Sequence, residues 1–227
     1  MTGAIPGAFH EHLDTATAET WEAIYALPFL QSLAAGTLEE SRFAFFISQD
    51  IHYLDAFSDV LRRAAALAGD EKTRAFLAGR AESVLRVEQT LHGTFAPRLC
   101  LDVAAVRSAE PAPVTLAYID HMRGVAAHGT LGEVIAAVLP CYWVYRRVGL
   151  RLAPSPPPHD LYATWVGAYA AAEFGAAVDR QIALVDALAS RASDEERARM
   201  QRWFHRSLRY EWMFWDQADR RAAWPVP

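Results

Sequence analysis

A chain of 227 residues, 52% hydrophobic and 22% charged, has the size and composition of one globular domain with a sizeable core. Its formal charge of −5 offers no electrostatic footprint for nucleic acid, and no apolar run reaches the ~18–20 residues that a membrane span needs. Two cysteines, Cys100 and Cys141, make no disulfide framework, and Met1–His10 lacks the pattern of a secretory leader, so a reducing cytoplasm is the expected setting.

The 3.6-residue spacing of Phe9, Leu13, Ala16, Thr20 and Ile24 predicts an amphipathic helix over 8–26. Pro28 opens a short segment that Gly36 closes. Thr37 is the expected N-cap of a long helix running to Gly69, with Glu39 and Glu40 in its first turn. Asp70 then caps a helix continuing to about Phe95, just before Pro97. Weak periodicity, with Pro111 and Pro113, predicts a loop over 99–113. Helices are expected over 114–128 and 131–152, separated by Gly129 and Thr130. Pro154, Pro156, Pro157 and Pro158 form a stiff turn. Two helical stretches follow, 160–191 with a break near Gly167, and 193–223. No alternating β-branched runs occur, so the expectation is an all-α bundle, one domain over 1–227.

The chemistry concentrates in four places. In Leu139-Pro140-Cys141-Tyr142-Trp143-Val144-Tyr145, a helical proline precedes a thiol, and Tyr145 shares the face of Cys141 one turn on. That pattern fits a presented nucleophile, and equally a small buried residue in a Pro-bent core helix. In Gln49-Asp50-Ile51-His52-Tyr53, Asp50 lies among Phe45, Phe46, Ile47 and Leu54, where an ionised carboxylate requires a partner, either an arginine or a ligand. Glu211, in Tyr210-Glu211-Trp212-Met213-Phe214-Trp215, is the only acid between Glu196 and Asp216. Its aromatic neighbours would raise its pKa toward general-acid use, unless Arg206 or Arg209 pairs with it. Tyr118 and Tyr169 are single tyrosines in apolar stretches. Glu88 and His92 share a helix face, but duplicated metal-ligand spacing is lacking. The one lysine, Lys72, is remote from Cys141 in sequence, and phosphate-binding glycine loops are absent.

In this order the residues resemble the TenA family, whose best-known members are thiaminase II enzymes (aminopyrimidine aminohydrolases). The resemblance spans nearly the whole chain. It rests on Gln49-Asp50-x-x-Tyr53, the Leu139–Tyr145 block, Tyr169 and Glu211-x-x-Phe214-Trp215. It implies a heme-oxygenase-like helical fold, a homotetramer, and no metal or other cofactor. The implied reaction hydrolyses aminomethylpyrimidine or thiamin to hydroxymethylpyrimidine in thiamin salvage. By the same resemblance Cys141 is the nucleophile, Glu211 the acid–base group and Asp50 the anchor of the pyrimidine. Tyr53 and Phe214 stack on its faces, and Tyr118, Tyr145 and Tyr169 complete a polar wall. Ile51 and Phe57 depart from the family pattern, each lacking a hydroxyl. Two other functions compete: a non-haem metal-dependent oxygenase on the same scaffold, and a pyrimidine-binding protein without turnover.

Overall fold

The computed structural model describes residues 7–226, apart from the side chains of residues 87–92. Every regular element among the described residues is an α-helix. The order is α1 (Phe9–Ala16), α2 (Ala18–Tyr25), α3 (Pro28–Ala35), α4 (Glu40–Leu67), α5 (Glu71–Arg98), α6 (Val103–Ser108), α7 (Pro113–His128), α8 (Leu131–Leu152), α9 (Asp160–Ala170), α10 (Ala172–Ala189) and α11 (Asp194–Arg220). None is long and apolar enough to cross a membrane.

Capping chemistry sets many of the boundaries. Asp70, Asp102, Thr130 and Ser193 each accept a backbone N–H of the first turn of α5, α6, α8 and α11. Gly36 ends α3 at φ 71°, a left-handed conformation suited to glycine. Pro158 of the proline turn lies against it, 2.6 Å from where a Cβ would stand. Thr37 does not cap α4. Glu39 holds that position, and the Thr37 hydroxyl faces Ser32 O instead.

The helix expected over 8–26 is broken at Thr17, whose backbone leaves the helical region and whose hydroxyl donates to Leu13 O at 2.7 Å. The stretch expected as loop after Leu99 contains α6. α5 runs on through Pro97, which has no N–H to give the Gly93 carbonyl, and ends one residue later. The break between α9 and α10 falls at Ala171 (ψ 142°) rather than near Gly167. A Cβ at Gly149 would stand 2.7 Å from the Tyr169 carbonyl carbon, so only glycine lets α9 approach α8 this closely.

α4 and α5 form a long antiparallel hairpin, and α8 lies at the centre, packed against α11, α10, α9, α7 and α4. Residues 132–140 of α8 are buried without interruption, the signature of a helix apolar all round. Below the site lies an aromatic layer. Phe46 stacks on Trp215 at 4.7 Å between centroids, and Trp165 meets Trp215 edge-on at 5.6 Å.

Candidate active site

A cavity of about 430 Å³ opens between α4, α5, α8, α9 and α10. Asp50 from α4, Cys141 and Tyr145 from α8, and Tyr169 from α9 line it. Within α8, Pro140 has no N–H to give the Ala136 carbonyl. Cys141 is a free thiol, partly exposed between buried Pro140 and buried Tyr142.

Tyr53, Tyr118, Glu211 and Phe214 are buried in the layer adjoining these groups rather than lining the cavity. The Tyr53 ring lies 5.0 Å from Tyr118 and 5.8 Å from Phe214. The Tyr118 hydroxyl donates to Glu211 Oε1 at 2.8 Å, and Tyr118 stacks on Tyr210 at 5.1 Å. This phenol, rather than Arg206 or Arg209, is the partner of Glu211; Arg206 lies over the Trp203 ring.

Burial governs the electrostatics. Glu211 is 1% exposed, and desolvation pushes its pKa up to about 8; the Tyr118 hydrogen bond opposes this and the Asp50 charge reinforces it. The Cys141 thiol is likewise pushed well up, first by burial and then by Glu211, with the Tyr53 phenol acting in the opposite sense as a donor to the sulfur. Burial also holds Tyr53, Tyr118, Tyr145 and Tyr169 well above the ordinary tyrosine value. Burial therefore favours a neutral thiol and a neutral Glu211, with Tyr118 bonded to Glu211 and the Tyr53 hydroxyl 3.5 Å from Met122 Sδ.

The two departures from the family pattern differ in consequence. Ile51 is fully buried in the core and does not line the cavity, so its missing hydroxyl removes nothing from the wall. Phe57 does line it, and meets Tyr142 edge-on at 5.4 Å. Gln49 supports the fold: its Oε1 accepts Ala112 N at 2.9 Å and ties α4 to the start of α7. Arg80, Ser83 and Phe174 also line the cavity. No motif marks them in the sequence.

A larger surface cleft, about 630 Å³, lies among α7, α8 and α11 and includes His121, Glu133 and Arg199. Its polar groups serve one another: Glu133 accepts from Arg199 Nε at 2.7 Å and Trp203 Nε1 at 3.0 Å, and His121 Nε2 pairs with Ser207 Oγ at 2.9 Å. Burial and Arg206 lower the His121 pKa to about 4. None of the eight candidate residues lines this cleft, so the smaller cavity is the better candidate.

Among the described residues no group of three or more His, Cys, Asp or Glu is placed to hold a metal ion. The Glu88–His92 pair lies outside the described side chains.

Known proteins share this fold. The model of the TENA/THI-4/PQQC family matches residues 15–222. The chain is 36% identical to an aminopyrimidine aminohydrolase of Bacillus subtilis, over 95% of this chain and 92% of that protein. A TenA homologue from P. horikoshii OT3 superposes with a TM-score of 0.86 at 26% identity, covering 94% of this chain and 99% of the other. A domain with a heme oxygenase-like fold from Shewanella denitrificans aligns at TM-score 0.74 and 16% identity, over 93% and 92%, which speaks to the fold alone. The chain belongs to the TENA/THI-4/PQQC family.

Proposed function

We propose that this protein is an aminopyrimidine aminohydrolase that acts in thiamin salvage through a covalent Cys141 intermediate. The B. subtilis relative's name supports the reaction class. The observation that carries the mechanism is the buried Tyr118–Glu211 hydrogen bond beside a cavity lined by Cys141 and Asp50.

An aromatic pyrimidine gives little help to a group leaving its exocyclic methylene. Covalent addition changes that. Asp50 holds the ring amino group and its neighbouring nitrogen. Cys141 Sγ bonds to a ring carbon while Glu211 gives its proton to a ring nitrogen. The thiol proton in turn refills Glu211. The neutral resting site suits this exchange, because no charge needs to be created in a dry pocket before the ring arrives. The electron-rich adduct expels the leaving group, whose bond to the methylene breaks with its electron pair, and a proton follows it out. Water then adds its hydroxyl to the methylene, and the thiol departs with its proton restored. The balance is pyrimidine–CH₂–X plus water giving pyrimidine–CH₂–OH plus HX. Tyr145 and Tyr169 bound the ring, while Phe214 and Tyr53 back it with aromatic surface. The scheme calls for no metal or organic cofactor. A homotetramer in the cytoplasm is part of the same proposal, taken from the family resemblance.

The test is a mass-spectrometric assay of the wild type and Cys141→Ser with thiamin and aminomethylpyrimidine, supplied separately and with chelator present. Hydroxymethylpyrimidine from the wild type alone is the expected result. Tight binding of both compounds without product would shift the reading to a non-catalytic pyrimidine-binding protein, and equal turnover by the variant would remove Cys141 as nucleophile.

A further inference from the structure

The cavity is larger than a single substituted six-membered ring needs, and one part of its wall is made of polar groups that the proposed mechanism does not use. Arg80 of α5 and Tyr142 of α8 both line it. The Arg80 guanidinium lies 5.4 Å over the Tyr142 ring, and Nη1 donates to Ser83 Oγ at 3.3 Å. Its Nε is buried without a hydrogen-bond partner. The Tyr142 hydroxyl is also buried without a partner. Beyond it, on α10, Gln181 is fully buried, and both its amide oxygen and nitrogen lack partners. The Tyr142 phenol faces both Arg80 and Gln181, which favour its ionised form, so side chains from three helices converge here in contacts looser than full hydrogen bonds. Buried polar groups left this way are costly, and a convergent set of them marks a place where something polar binds.

The sign of the charge narrows the choice. Arg86 and Glu173 share the cavity wall but are exposed, and Arg86 lies 3.9 Å from Glu82. Arg80 is half-buried, with its guanidinium over the Tyr142 ring in the cavity wall. A guanidinium with an unused Nε edge matches a carboxylate geometrically, through two parallel N–H donors.

We propose that Arg80, supported by Ser83, Tyr142 and Gln181, forms the subsite for the leaving group, and that it selects leaving groups bearing a carboxylate over neutral or cationic ones. This rests on the hydrolase reading, since it names what X carries in pyrimidine–CH₂–X. A cationic leaving group such as the thiazolium of thiamin meets repulsion from Arg80, whereas a carboxylate on the departing amine gains charge-assisted hydrogen bonds. Departure remains heterolytic: the methylene–nitrogen bond breaks, the nitrogen keeps the pair, and the proton it takes gives a free amino acid.

Four compounds test it: aminomethylpyrimidine, its N-carboxymethyl and N-ethyl derivatives, and thiamin, with kcat/KM measured for each. The wild type is expected to favour the N-carboxymethyl over the N-ethyl compound by about 10- to 100-fold. Arg80→Met should erase that preference and improve the relative use of thiamin, and Arg80→Lys should keep part of it. Gln181→Leu, which replaces an unsatisfied amide by an apolar group of similar size, should reduce the preference while keeping the protein folded. Equal rates for the N-carboxymethyl and N-ethyl compounds in the wild type would overturn the subsite, as would a preference that survives Arg80→Met. Failure of the wild type to consume even aminomethylpyrimidine would instead overturn the hydrolase reading, and the leaving-group role with it.

Discussion

The hydroxyl of Tyr118 donates to Glu211 Oε1 at 2.8 Å, joining α7 to α11 across 93 residues of chain. That bond partly offsets the desolvation that raises Glu211 to about 8. Removing it in Tyr118→Phe should raise the Glu211 pKa further. The alkaline limb of kcat/KM should move above pH 8 while turnover falls about tenfold, since proton transfer by a positioned group contributes that much or more. A pH profile of the variant checks both; an unmoved limb would mean that another group sets it.

Glu211 also links stability to pH. Its folded pKa of about 8 lies above its ordinary value of 4.5. Between these values the folded protein holds a proton that the unfolded chain has released, so this group's contribution to stability is complete below about pH 4.5 and declines as pH rises to about 8. Glu211→Gln, neutral at every pH, should melt close to the wild type at pH 4.5 and several degrees above it at pH 8.5, while losing most of its activity. Thermal unfolding at the two pH values measures the difference.

Cys141→Ser tests the covalent step separately from binding. Turnover should fall by about 10³-fold or more, because an unactivated hydroxyl is a poor nucleophile, with product-analogue affinity within about tenfold of the wild type. Calorimetric titration with hydroxymethylpyrimidine, beside the turnover assay, separates the two effects.

Gly149→Ala tests the scaffold. The added methyl carbon would lie 2.7 Å from the Tyr169 carbonyl carbon and 2.8 Å from Ala170 N, both backbone atoms that cannot swing aside. A loss of about 1–3 kcal/mol in denaturant unfolding is expected, together with a raised KM as Tyr169 moves away from Cys141. An unchanged midpoint would show that α9 accommodates the methyl by sliding.

Much of this arrangement can be read from local signals, and the parts that cannot have a common cause. Asp70, Thr130 and Ser193 announce helix starts because a cap bonds within its own turn. The break at Ala171 carries no such signal. It adjoins residues 169–170, whose close approach to α8 is permitted by Gly149 on another helix. The same holds for the site. Cys141 and Tyr145 declare a shared face through their spacing, but that Glu211 would bond Tyr118 rather than Arg206 or Arg209 depends on how α7 and α11 cross. Phe57 and Ile51 look equivalent in the sequence, six residues apart on one helix, yet only Phe57 reaches the cavity. Arg80 sits on a helix rich in arginine and acid, where one inward-facing guanidinium has nothing to distinguish it until α8 and α10 are in place.

α8 is buried at 15 of its 22 positions, with a continuous run from Gly132 to Pro140 leading directly to Cys141. Amide protons on such a segment exchange with solvent only when the whole molecule opens, so its hydrogen–deuterium exchange should report global unfolding. Cys141 therefore cannot adjust to a substrate by local fraying of its own helix, and any give needed to admit a ring must come from the shorter α9 and α10 on the other side of the cavity. A deuterium-uptake map should show protection highest across residues 134–145 and lowest, among the cavity walls, around Ala171.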